Sequence, residues 1–179
     1  QGGMLHVTGD VILGNETTTD GELRIAGGQI TVDSVVRDNN GDDMLLHIVG
    51  GDATDISFGS LTLDSSSTVL RVTPVDNALS TVDVGGTAAL SNLTLEVDLP
   101  TWYTPPIGGI TYDLIDGVSV VDSSVTLTTT AWRASYEVIP GGAGELLRLT
   151  VVPEPTAAAL LILGCGAVLM RRRHAIGCP

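Results

Sequence analysis

Five times between residues 5 and 97 the chain repeats a Leu–polar–Val/Ile triplet: Leu5-His6-Val7, Leu23-Arg24-Ile25, Leu46-His47-Ile48, Leu70-Arg71-Val72 and Leu95-Glu96-Val97. Successive triplets start 18, 23, 24 and 25 residues apart. Each unit contains short alternating segments and turns but no helical pattern, and one unit buries too little apolar surface to stand alone. Such repeats stack. The expected fold class is therefore all-β, a parallel β-helix in which each triplet forms one strand of one coil. Leu and Val/Ile point inward onto their counterparts above and below, and the middle residue faces solvent. The outward column is expected to read His6, Arg24, His47, Arg71, Glu96. A His that can be neutral near pH 7 separates the Arg residues and limits their repulsion. A β-sandwich or jelly roll is the alternative, because such triplets also occur in ordinary half-buried strands.

Period-2 alternation also marks Gln29 to Asp33 and Ser60 to Asp64, and Gly27-Gly28, Asn40-Gly41, Gly50-Gly51 and Gly85-Gly86 supply corners between segments. The coils are assigned to residues 1–99. Beyond Leu99 the texture changes: Pro100, Pro105 and Pro106 interrupt the pattern, and Trp102, Tyr103 and Tyr112 bring aromatic bulk. Residues 100–152 read as a β-rich cap over the open apolar end of the stack. Its expected strands are Thr111 to Ile115, Val118 to Val121, Ser124 to Thr129, Ser135 to Ile139 and Glu145 to Val152.

All 21 acidic residues lie at or before Glu154, there is no Lys, and residues 1–155 hold only five Arg, so this part carries a formal net charge of −16. Such a surface repels phosphate backbones, which argues against a nucleic-acid partner. Both cysteines, Cys165 and Cys178, follow residue 155, leaving the preceding domain without a thiol for a disulfide or a zinc site. Its stability must come from packing and backbone pairing.

The C-terminal segment, residues 153–179, has a different character. Val152-Pro153-Glu154-Pro155 is followed by an uncharged run over 156–170 and then by Arg171-Arg172-Arg173. As a helix the run spans a little over ~20 Å, short for a bilayer core but extended by a snorkelling Arg171. The Arg cluster would stay cytoplasmic, placing the acidic domain across the membrane. The order of motif, apolar run and Arg cluster resembles the PEP-CTERM sorting signal. That resemblance implies export to the cell envelope or surface, initial anchoring in the inner membrane with the C-terminus cytoplasmic, and cleavage near Pro153-Glu154-Pro155 by an exosortase. It also implies a surface or biofilm-matrix setting, with extracellular polysaccharide as a possible partner, and suits a β-helix-like ectodomain of the autotransporter or adhesin type.

The coils offer little for catalysis. A polysaccharide lyase or glycosidase needs clustered carboxylates with a basic partner, and sugar clefts favour aromatic platforms, whereas residues 1–99 hold one aromatic, Phe58. The densest oxygen cluster is Asp38-Asn39-Asn40-Gly41-Asp42-Asp43, in which Asp38, Asn40, Asp42 and Asp43 are weak calcium candidates. Gly at its fourth position and the lack of Glu at the twelfth depart from an EF-hand loop, so an Asn-Gly turn with solvated Asp residues is the preferred reading. His6, His47 and His174 lack partners at metal-ligand spacing. The expectation is a non-enzymatic, cofactor-free surface protein with a structural or adhesive role. Its alternatives are a polysaccharide-acting β-helix enzyme or a carbohydrate-binding β-sandwich.

Overall fold

The computed structural model describes residues 3–13, 21–37, 43–51, 53–99, 108–129, 133–142 and 144–152. They form twelve strands: β1 (Met4–Leu13), β2 (Gly21–Ile25), β3 (Gly28–Arg37), β4 (Met44–Val49), β5 (Ala53–Leu63), β6 (Thr68–Thr73), β7 (Val82–Ser91), β8 (Thr94–Val97), β9 (Ile110–Ser123), β10 (Thr126–Thr129), β11 (Arg133–Pro140) and β12 (Glu145–Val152). The chain alternates between two sheets. Up to β10 odd strands enter one sheet and even strands the other; β11 and β12 both join the first, giving a seven-stranded sheet of order β1-β3-β5-β7-β9-β12-β11 and a five-stranded sheet of order β10-β8-β6-β4-β2. The ladder from β1 to β9 is parallel throughout, as is the ladder from β2 to β10. This is a β-solenoid, one strand per sheet in each coil.

In the five-stranded sheet the triplets stack as expected. Leu23, Leu46, Leu70 and Leu95 are successive Cα partners, and so are Ile25, Ile48, Val72 and Val97. Inward-facing Leu46, Leu70, Leu95, Ile48, Val72 and Val97 are essentially solvent-free and share one core with Val32, Phe58, Val84 and Leu114 of the opposite sheet. Removing such side chains from water is the main force holding the coils together.

Leu5-His6-Val7 departs from the expected column. It lies in β1, opposite Ile30-Thr31-Val32, and so belongs to the other ladder. The outward column is therefore Arg24, His47, Arg71, Glu96 and then Thr128. Its interval of 18 residues to the next triplet, against 23 to 25 for the others, measures the passage from one sheet to the other.

The long odd strands are bent. Inward positions run Ile30, Val32, Val35 in β3, Ile56, Phe58, Leu61, Leu63 in β5, and Val82, Val84, Ala88, Leu90 in β7. Alternation thus resets once per strand, where Asp33-Ser34, Gly59-Ser60 and Gly85-Gly86-Thr87 turn away from the core. Register shifts fall at the same place in β5 and β7, the signature of a bulge that bends a strand. Successive bends sit on one another so closely that a Cβ on Gly59 would strike the Asp33 carbonyl, and one on Gly86 would lie 2.9 Å from the Gly59 carbonyl oxygen.

The expected boundary at residue 99 falls inside the ladders, because β9 and β10 continue both of them. Thr111–Ile115 and Val118–Val121 are parts of the single bent strand β9. Antiparallel pairing begins only where β12 adds to β9 and β11 to β12. The described residues contain no helix, and the expected helix 156–170 lies outside them.

Candidate functional site

The outer face of the five-stranded sheet carries two adjacent rows. One runs Glu22, Leu45, Val69, Thr94 and the other Arg24, His47, Arg71, Glu96, with Val49 opposite Thr73 beyond them. Arg71 reaches one rung along the stack, donating from Nε at 3.1 Å and from Nη2 at 2.9 Å to the same Glu96 carboxylate oxygen. Both side chains are about one-third exposed or less (33% and 26%), so solvent screens the pair only in part.

His47 is more enclosed than Arg71, Glu96 or Glu22 on this face. Its Nε2 is 2.9 Å from Thr73 Oγ1 and its Nδ1 is 3.9 Å from Glu22 Oε1. Burial lowers its pKa, Arg71 and Arg24 lower it further, and Glu22 and Asp98 oppose the shift. The neutral imidazole is therefore favoured. Hydroxyl, imidazole and carboxylate stand in the order of an acyl-transfer triad, but 3.9 Å is too long for Glu22 to hold the imidazole N–H. Thr73 also stands apart from the groove described next. The arrangement works as a rung-to-rung clamp.

At the N-terminal ends of β2, β4 and β6 this face opens into a groove of about 410 Å³, lined by Gly21, Glu22, Asp43, Met44, Leu45, Ser66, Ser67, Val69 and Arg71. Ser65, Ser66 and Ser67 make the turn from β5 into β6, with the Ser67 amide 3.3 Å from Ser65 Oγ and the Thr68 amide donating to the Ser65 carbonyl at 2.9 Å. The Asp43 carbonyl accepts from the Gly21 amide at 3.0 Å, tying β2 to the start of β4. Carboxylates, hydroxyls and a guanidinium around a small apolar floor make a hydrogen-bonding surface suited to a hydroxyl-rich ligand.

The other sheet shows a contrasting outer face. Asp83 and Asp116 are direct cross-strand partners, with Ser57 next in the column. The Asp83 pKa is raised, first by desolvation and then by Asp116 and Asp55. Beside the bend of β9, Glu145 accepts from the Val120 amide at 2.7 Å and from Ser119 Oγ at 3.2 Å, satisfying backbone beyond Gly117, where the pairing of β9 with β12 ends. Arg148 donates to Asp113 at 2.8 Å between β12 and β9.

Of the residues singled out from sequence, Asp43 lines the groove and Val152 ends β12 with 41% of its surface exposed. Asp38, Asn40, Asp42, Pro153, Glu154, Pro155, Arg171, Arg172 and Arg173 lie outside the described residues. Among the described residues no group of three His, Cys, Asp or Glu is placed to hold a metal ion. No local pattern signals the groove, because it forms where the Ser65–Ser67 turn stands beside residues 20 to 46 positions earlier in the chain. No family model, curated protein or solved structure matches the chain.

Proposed function

We propose that the chain is an exported, non-enzymatic surface or matrix protein, a solenoid delivered through a PEP-CTERM tail and cleaved from it by an exosortase. The supporting observation is the junction of fold and tail. β12 is paired on both edges, by β9 and β11, and ends at Val152, directly before Pro153-Glu154-Pro155. A sorting enzyme would thus meet its motif next to the end of a strand already locked in a sheet. The run 156–170 then acts as the transient membrane helix, with Arg171, Arg172 and Arg173 on the cytoplasmic side.

In the same reading the solenoid is a spacer and adhesive surface whose acidic exterior resists aggregation. The groove over Glu22, Leu45 and Val69 is its contact for neutral extracellular polysaccharide, since sugar hydroxyls can pair with the Ser66, Ser67, Glu22 and Asp43 groups that line it. The test is the intact mass of the full chain produced with and without an exosortase. Loss of the residues after the motif only when the enzyme is present supports the proposal. An uncleaved chain in both hosts overturns it.

A further inference from the structure

The groove over Glu22, Leu45 and Val69 belongs to a longer strip that the solenoid repeats at each coil. Leu45, Val69, Thr94 and Thr126 are successive Cα partners on the outer face of the five-stranded sheet. Two positions before them stand Asp43, Ser67, Asn92 and Ser124, all polar and all at the corners that feed β4, β6, β8 and β10. Two positions after them stand His47, Arg71, Glu96 and Thr128. Residues two apart in a strand share a face, and the corner residue borders it. Each coil therefore repeats one cross-section, a floor residue between two polar banks. Beyond the groove the corners also match in conformation, since Asn92 and Ser124 take φ of 52° and 56°.

Period and chemistry together select the ligand and its direction. Rungs of a parallel sheet are about 4.8 Å apart, close to the advance of one pyranose unit along an extended glycan chain. A glycan laid across the strands, along the solenoid axis, meets one floor residue and one pair of banks per sugar. Laid along a strand it would leave the face after four to six residues. Charge narrows the choice. Arg71 is held to Glu96 at 2.9 Å, so this bank has no excess positive charge for a carboxylated or sulfated polymer, and Glu22 and Asp43 in the groove repel one. None of β2, β4, β6, β8 and β10 contains Phe, Tyr or Trp, so no single rung stacks a sugar tightly. Affinity has to accumulate over several rungs.

We infer that the solenoid binds a linear, neutral glycan along its axis, one sugar unit per coil from Leu45 to Thr126. The inference rests on the polysaccharide reading of the groove and deepens it: the polymer gains a direction, and Thr94 and Thr126 become binding residues beyond the groove walls. The four rungs cover about 14 Å of polymer. Fold and ligand then share one repeat, and contacts add coil by coil.

The experiment uses the full chain in mild detergent, titrated calorimetrically with linear β-1,4- and β-1,3-glucan oligosaccharides of two to six units. Affinity should rise about tenfold from disaccharide to tetrasaccharide and change little beyond it. A long charged side chain on the floor lifts the glycan off that rung. Thr94→Glu should therefore stop the rise at two units and Thr126→Glu at three, each leaving disaccharide affinity unchanged, which a misfolded variant would not do. Thr31→Glu, exposed on the outer face of the other sheet, should alter neither. Affinity that does not grow with length, or that grows as before in Thr94→Glu and Thr126→Glu, overturns the inference and leaves the groove as a site for a short ligand. Absence of binding at every length overturns the inference together with the polysaccharide reading of the groove.

Discussion

The two sheets enclose one core but solve different problems. Even strands β2 to β10 are short, four to six residues, and keep strict alternation, so their columns are straight. Odd strands β1 to β9 are ten to fourteen residues long, and β3, β5 and β7 each spend two or three consecutive residues turning a corner. A straight ladder can be held by side-chain columns alone. A bent one also needs room where corners stack, which Gly59 supplies over Asp33 and Gly86 over Gly59.

This contrast can be broken most severely at Phe58, the fully buried aromatic beside the bend of β5. Phe58→Ala should cost about 4 kcal/mol by denaturant unfolding, because the stacked corner cannot collapse around so large a void. Leu46→Ala, in the straight sheet, should cost less, about 3 kcal/mol. A larger loss at Leu46 would mean that the bend is the more compliant region.

Gly59→Ala sharpens the same point without removing any packing. Its methyl would strike the Asp33 carbonyl, a backbone atom that cannot rotate away, and about 2 kcal/mol should be lost. Thermal unfolding of this variant beside Gly108→Ala, where a Cβ meets nothing within 4 Å, isolates the effect of the bend.

On the outer faces the expected effects shrink. Arg71→Ala should cost about 1 kcal/mol or less, and a double-mutant cycle with Glu96→Ala should recover most of it as coupling. Asp83→Asn should be mildly stabilising, by about 0.5 kcal/mol or less, because the fold disfavours its charged form beside Asp116 and Asp55 and solvent screens what remains. The two faces should therefore respond to loss of charge with opposite signs.

His47 adds a pH dependence to the straight face. Its pKa is lowered from 6.5 in the fold, so the unfolded chain binds the proton more readily. The neutral clamp is fully in place above 6.5, and its contribution is lost as pH falls from there toward the depressed folded value. His47→Gln should flatten the pH profile of thermal stability in that window. An unchanged slope would place the pH dependence elsewhere.

The straight sheet was legible because its signal is local: three residues with the right alternation, repeated at 23 to 25 residues, specify strand, face and register together. The bent sheet was not, because a corner inside a strand resets the alternation and looks like a strand end. Val118 to Val121 therefore read as separate from Thr111 to Ile115, and Gly85-Gly86 as a turn between strands. Leu5-His6-Val7 had the right composition in the wrong ladder, and only its shorter interval could have betrayed it. Asp43 was visible as a residue of an Asn-Gly turn, but its meeting with the Ser65–Ser67 turn in a groove depends on stacking, which no local pattern encodes.

The central claim, that this solenoid works outside the cell, is tested most directly by labelling intact exosortase-containing cells with an antibody raised against the folded domain. Label on unbroken cells, lost when Pro153-Glu154-Pro155 is replaced by Ala-Ala-Ala, is the result the account predicts. Signal that appears only after lysis, whether or not the motif is intact, would contradict it.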